Sequence, residues 1–250
     1  MKKILVITLI IAGAATVFFL TKKNGTPNTS ENTNSGRPQE QSRAISFENP
    51  KKSAHYESNT PEHGTILPGM PINVVIDFNF DLAVPSSIKM VHDGKDYEAG
   101  ETMIDENKLT MRRAMDPASP DGVYRVEYRA CWPDRSCHDG YFQFAIDRKL
   151  ADKAVDLRNR SSVEIDLAEI AFVPENFKVS RGTKIVWKNA DSVEHYINTD
   201  SHPAHTYYPA QNSEVLNLGD TFELMFDAPG VYPYHCSAHA EVMKGTIIVE

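Results

Sequence analysis

The chain has 250 residues, with 26 Lys and Arg against 34 Asp and Glu, and a net charge of −8. That length allows one or two domains, and an acidic balance without a basic stripe argues against a nucleic-acid-binding surface. The charge is uneven: there are five basic and thirteen acidic residues from Ser162 onward, and twenty-one of each up to Ser161.

Met1-Lys2-Lys3 is a positive start, residues 4–20 are an apolar run without a charge, and Lys22-Lys23 follow. This run is longer than a usual signal core and at the short limit for a membrane span. Residues 1–23 are therefore expected to be a signal anchor or a signal peptide, the latter cut near Ala12-Gly13-Ala14. Both flanks are positive, so the segment leaves the orientation open; the cysteine pair and the resemblances given below imply that the globular part lies outside the cytoplasm, in a periplasmic or other extracytoplasmic space. In the first case residues 4–20 anchor it to the membrane. Residues 24–51 are rich in Asn, Thr, Ser, Gly, Glu and Gln without apolar periodicity, and read as a disordered tether.

Residues 52–149 have an all-β pattern. Ile72–Phe78, Gly122–Tyr128 and Tyr141–Ile146 read as strands, and the Gly, Pro and Asp between short apolar runs argue for a sandwich. Cys131 and Cys137 flank a short loop, Trp132-Pro133-Asp134-Arg135-Ser136. In an exported chain they are expected to form a disulfide; a thiol pair that binds Cu(I) or shuttles electrons is the other reading.

Three pieces of this segment resemble the CopC-like copper-resistance family: Ala54-His55 with Thr60-Pro61 and Gly64, Asp121-Gly122-Val123-Tyr124, and Gly140-x-Phe142-x-Phe144. The resemblance implies an immunoglobulin-like sandwich of the bacterial periplasm. Its copper site carries over poorly. The family uses an N-terminal His with its free amine, and His55 is internal. Asp134 matches the family's Asp, but Ser136 stands where a second His belongs, with His138 nearby. Met90, Met103, Met111 and Met115 are scattered and form no Met-rich loop. The segment is accordingly read as a spacer or docking module.

After a linker at 150–161, residues 162–250 carry the chemistry. Ile185-Val186-Trp187-Lys188-Asn189 reads as a strand leading to His195. Tyr234-His235-Cys236-Ser237-Ala238-His239 and Met243 follow another strand signal, Pro229-Gly230-Val231-Tyr232. One thiolate, two imidazoles and a thioether make the ligand set of a blue-copper electron-transfer site. A thiolate bonds Cu(II) strongly, imidazoles suit both oxidation states, and a weak thioether lets the geometry change little with the electron. The stretch from Val163 to Glu250 resembles the cupredoxin family, in its plastocyanin, pseudoazurin and amicyanin branch. The matching pieces are Trp187-Lys188-Asn189-Ala190-Asp191, Phe226-Asp227-Ala228-Pro229-Gly230 and Cys236-x-x-His239 with Met243. The resemblance implies a Greek-key sandwich with His195, Cys236 and His239 as equatorial ligands and Met243 as the axial one. Glu194 and Tyr196, either side of His195, depart from the Pro and Asn common in the family.

His202 and His205 lie three apart in a loop rich in aromatics. They could bind a second metal, form a docking surface, or belong to a polar loop over one end of the sandwich. Strand alternation points His235 away from the ligand side.

The expectation is thus an all-β copper protein of two sandwiches behind an N-terminal membrane segment. Its expected work is one-electron transfer at one mononuclear copper with a redox partner protein; the acidic excess of the copper domain reads as a solvated, soluble surface or as steering towards a basic partner. The alternatives are copper tolerance or delivery with the metal as cargo, and an accessory domain of a copper oxidase or reductase. No nucleophile–base set is visible, so no catalytic residue is assigned and enzyme activity is not expected.

Overall fold

The computed structural model describes residues 45–250. The expected membrane segment and most of the expected tether lie outside them. Among the described residues, no helix is long and apolar enough to cross a membrane.

The first sandwich comprises β1 (Tyr56–Thr60), β2 (Ile66–Leu67), β3 (Asn73–Phe78), β4 (Ala83–His92), β5 (Lys95–Asp96), β6 (Glu98–Ile104), β7 (Thr110–Met115), β8 (Gly122–Cys131) and β9 (Cys137–Ile146). Its sheets run in the orders β1-β3-β7-β6 and β2-β9-β8-β4-β5. β8 shows why these residues make strands: Tyr124, Val126, Tyr128 and Ala130 are buried, while Glu127 and Arg129 between them face solvent. That alternation places one face on a core and one in water. Cys131 and Cys137 are the last register pair of the β8–β9 hairpin and are joined by a disulfide.

The segment expected as a linker is ordered. A 3₁₀ turn at Arg148–Lys153 is capped by Asp147, whose side chain accepts from the Lys149 amide. β10 (Val155–Asp156) then pairs in parallel with β13 (Asn176–Val179), and Leu157 enters the second core. The second sandwich adds β11 (Ser162–Ala168), β12 (Ala171–Val173), β14 (Lys184–Asn189), β15 (Asn198–Thr199), β16 (Thr221–Met225), β17 (Gly230–His235) and β18 (Lys244–Val249). The sheet orders are β10-β13-β18-β17-β15 and β12-β11-β14-β16.

The two sandwiches share their interiors. β3 is buried on both faces: Val74, Ile76 and Phe78 fill the first core, whereas Val75 belongs to the second. Val231 of β17 returns the exchange and packs in the first core. Its amide donates to the Met70 carbonyl at 2.9 Å. Gly230 permits this approach, because a Cβ there would meet Ile72 Cγ2 at 2.6 Å and the Met70 carbonyl oxygen at 3.2 Å. Tyr207, fully buried, closes the seam. Its hydroxyl donates to the Val231 carbonyl at 2.8 Å and accepts from the Ile72 amide at 2.9 Å. Burial pushes its phenol pKa well above the ordinary range.

Candidate metal centre

β17 ends at His235 and delivers Cys236 into a tight loop. The Cys236 amide donates to the Met243 carbonyl at 3.0 Å, and the His239 amide to the Cys236 carbonyl at 2.9 Å. The Met243 amide donates back to the His239 carbonyl at 2.9 Å. A 3₁₀ turn at Ser237–His239 thus presents three donor residues within eight positions. Cys236 and Met243 both sit buried in the second core.

His195 comes from the other side. Its backbone is bridged to Leu216, donating at 3.0 Å and accepting at 2.8 Å. Nδ1 of His195 and Nδ1 of His239 each lie 3.6 Å from Cys236 Sγ. Bond lengths of about 2.0 Å to nitrogen and 2.3 Å to sulfur, set 110–120° apart, would separate S from N by about 3.5–3.7 Å. The three donors therefore fit one first-row metal ion. The Tyr196 amide also points at Sγ, at 3.4 Å.

Asp191 holds His195 in place. Its Oδ2 lies 2.9 Å from His195 Nε2, and its two oxygens accept from the amides of Glu169 and Ile170. The Ile170 amide, with His195 and the Glu169 amide, holds the Asp191 carboxyl below its usual pKa. A carboxylate only accepts, so Nε2 carries the hydrogen and Nδ1 turns its lone pair towards Cys236. His195 and Cys236 are fully buried, and His239 is partly exposed. In the sequence Asp191 is simply an acidic residue close to His195; the fold makes it the brace of that ring.

A second convergence lies on the opposite face of β17. His235 Nε2 is 3.3 Å from His202 Nδ1 and 3.2 Å from His205 Nε2, and those two atoms are 3.3 Å apart. His235 Nδ1 lies 3.0 Å from Asp200 Oδ1. Burial, with His235 and His202 alongside, lowers the His205 pKa to about 4. The loop histidines thus meet His235, which points away from Cys236, as alternation requires.

The residues of the CopC-type site do not converge. Asp134 accepts from the Ser136 amide and hydroxyl, and His55 bonds Asn79 Oδ1 at 3.0 Å. The Trp132 ring packs against both His55 and His138. Among the described residues, only the two groups above bring three His, Cys, Asp or Glu donors together.

Residues 159–250 match the family described as copper binding proteins, plastocyanin/azurin family, and residues 56–147 match the CopC domain. Amicyanin-alpha of Methylorubrum extorquens is 28% identical over 98 residues, covering 39% of this chain and 80% of its own length. Plastocyanin of Vicia faba is 34% identical over 76 residues, covering 28% of this chain and 77% of its own. The solved structure of a purple cupredoxin from Nitrosopumilus maritimus is 30% identical, covers 35% of this chain and 99% of its own, and has a TM-score of 0.30. On its last ninety or so residues the chain belongs to the plastocyanin/azurin family of copper binding proteins, and a CopC domain precedes that part.

Proposed function

We propose that this protein is a one-electron carrier working outside the cytoplasmic membrane. Its mononuclear copper would be held on a Greek-key sandwich by His195, Cys236 and His239, with Met243 as a weak fourth ligand. The observation that carries the reading is the convergence of one buried Sγ and two imidazole Nδ1 atoms at 3.6 Å. Bound copper would supply the one-electron couple.

The residues supply the rest. Asp191 fixes the tautomer and direction of His195, and the Tyr196 amide donates towards the thiolate. The core around Cys236 and Met243 excludes water and keeps the donors in place. His239 is the ligand residue nearest solvent, so a partner would dock around it. The acidic excess of residues 162–250 would favour a basic partner.

The test is optical. Purified protein given copper should show an intense visible thiolate-to-copper band, absent in Cys236→Ser. Copper should stay bound through repeated reduction and reoxidation. A colourless copper-loaded wild type would sink the assignment. The CopC match favours a second reading, copper delivery. Release of Cu(I) to an acceptor protein on reduction would establish it over the first.

A further inference from the structure

We propose that His202, His205 and His235 form a second metal site, for a divalent first-row ion, facing the cleft between the two sandwiches. The three inward nitrogens are 3.2–3.3 Å apart. Tetrahedral ligation with bonds of about 2.0–2.1 Å places nitrogens about 3.3 Å apart, whereas a flat three-ligand site would need about 3.5 Å. The spacing therefore matches three corners of a tetrahedron, with the fourth left open. Three imidazoles suit copper and zinc alike, and the Irving–Williams order puts Cu(II) ahead.

The surroundings are those of a built site. Asp200, as an acceptor, puts the hydrogen of His235 on Nδ1 and leaves Nε2 as a lone pair aimed at the other two rings. His202 and His235 line a cleft of about 570 Å³, which Glu57 and Ser58 of the first sandwich also line. A small ligand could reach the fourth position from there. The loop that carries His202 and His205 is pinned on both sides of the pair. Ser201 and Thr206 donate to Asp77 at 2.7 Å each, and Arg112 donates to the Thr206 carbonyl at 3.0 Å. Both Asp77 and Arg112 belong to the first sandwich, so the site needs both halves of the protein. His235 and Cys236 are consecutive, so one peptide unit joins this site to the thiolate centre.

The competing account is a hydrogen-bonded histidine triad with no ion. Ser237 Oγ, 3.1 Å from His205 Nε2, already spends its hydrogen on Asn198 and could accept from His205. Metal counting decides. The full chain, stripped of metal, is titrated with Cu(II) alone and with Zn(II) alone. The proposal expects two copper equivalents: one intensely coloured, one weakly coloured with its own paramagnetic signal. His202→Gln and His205→Gln should each bind one equivalent and keep the intense band, which also shows that they fold; His202 is exposed, so its replacement is the milder of the two. Cys236→Ser should lose the colour and keep the weak signal, so failure of the thiolate centre and failure of this site are separable. Asp200→Asn should weaken the second site by about 10- to 100-fold. A wild type that binds a single equivalent of either ion overturns the proposal. So does a second equivalent that persists in both His202→Gln and His205→Gln.

Discussion

Asp77 and Ser201 lie 124 residues apart in the chain and meet at 2.7 Å, Oδ2 accepting from Oγ across the seam between the sandwiches. The same carboxylate also accepts from Ser58 at 2.7 Å, Thr110 at 2.9 Å and Thr206 at 2.7 Å. Asp77 is buried, so its burial is tolerated only because four hydroxyls surround it. One side chain of the CopC domain thereby fixes a loop of the copper domain.

Asp77→Ala should leave those hydroxyls without their acceptor and cost about 2–3 kcal/mol of stability. Denaturant unfolding measures it. The visible thiolate band should survive, since none of these contacts touches Cys236, while metal affinity at the three-histidine site should fall. Loss of the band instead would mean that Asp77 supports the whole copper domain rather than one loop.

Met243→Leu should keep a coloured centre and raise its reduction potential, because a lost thioether donor removes more support from Cu(II) than from Cu(I). Asp191→Asn should lower copper affinity about 10- to 100-fold, through the freed His195 ring. Voltammetry and competitive chelation read the two effects. A Leu variant with an unchanged potential would show that the thioether does not reach the metal.

Electron exchange with a basic partner should slow as salt rises past about 0.1 M, where screening acts over about 10 Å. Glu194 and Glu241 are exposed and close in sequence to His195 and Met243. Neutralising both should slow association several-fold and flatten the salt dependence. Asp191 is unsuitable for this experiment, since its carboxylate is bonded to His195. If stopped-flow rates ignore salt with several basic partners, the charge serves solubility alone.

The shared interior predicts one unfolding event. Each sandwich holds one tryptophan, Trp132 in the first core and Trp187 in the second. Trp132→Phe and Trp187→Phe variants therefore report the halves separately, and their transitions should coincide. Gly230→Ala should cost about 1–3 kcal/mol of stability through the clash with Ile72, and so lower both midpoints together. Two resolved transitions would refute the coupling.

Local patterns were the legible part of the sequence. Cys236, His239 and Met243 declare themselves because one loop carries all three, and Val163, Ile165 and Leu167 alternate cleanly with acidic neighbours. The seam was harder. Asn73-Val74-Val75-Ile76-Asp77-Phe78 breaks alternation, which is the mark of a strand buried on both faces. What covers its second face depends on a partner surface more than a hundred residues away. The three-histidine group was beyond reach for a similar reason. Alternation places His235 opposite Cys236, but only the pairing of Asn198 with His235 brings the 200–205 loop alongside. Within the 150–161 linker the two-residue strand Val155-Asp156 is too short to show a period.

The hairpin register of Cys131 and Cys137 has a consequence for how the protein matures. Three cysteines allow three different bridges, and two of them would consume Cys236, the thiol proposed to bind copper. Cys131 and Cys137 are six residues apart and directly opposed across neighbouring strands. Cys236 is about a hundred residues further on, in the other core. Closing the short loop costs about 2 kcal/mol less chain entropy than closing the long one. An oxidant meeting the nascent chain would thus be spent on the harmless pair first. In surroundings that favour disulfides, the order in which the chain ties itself would then keep Cys236 reduced and available to a metal.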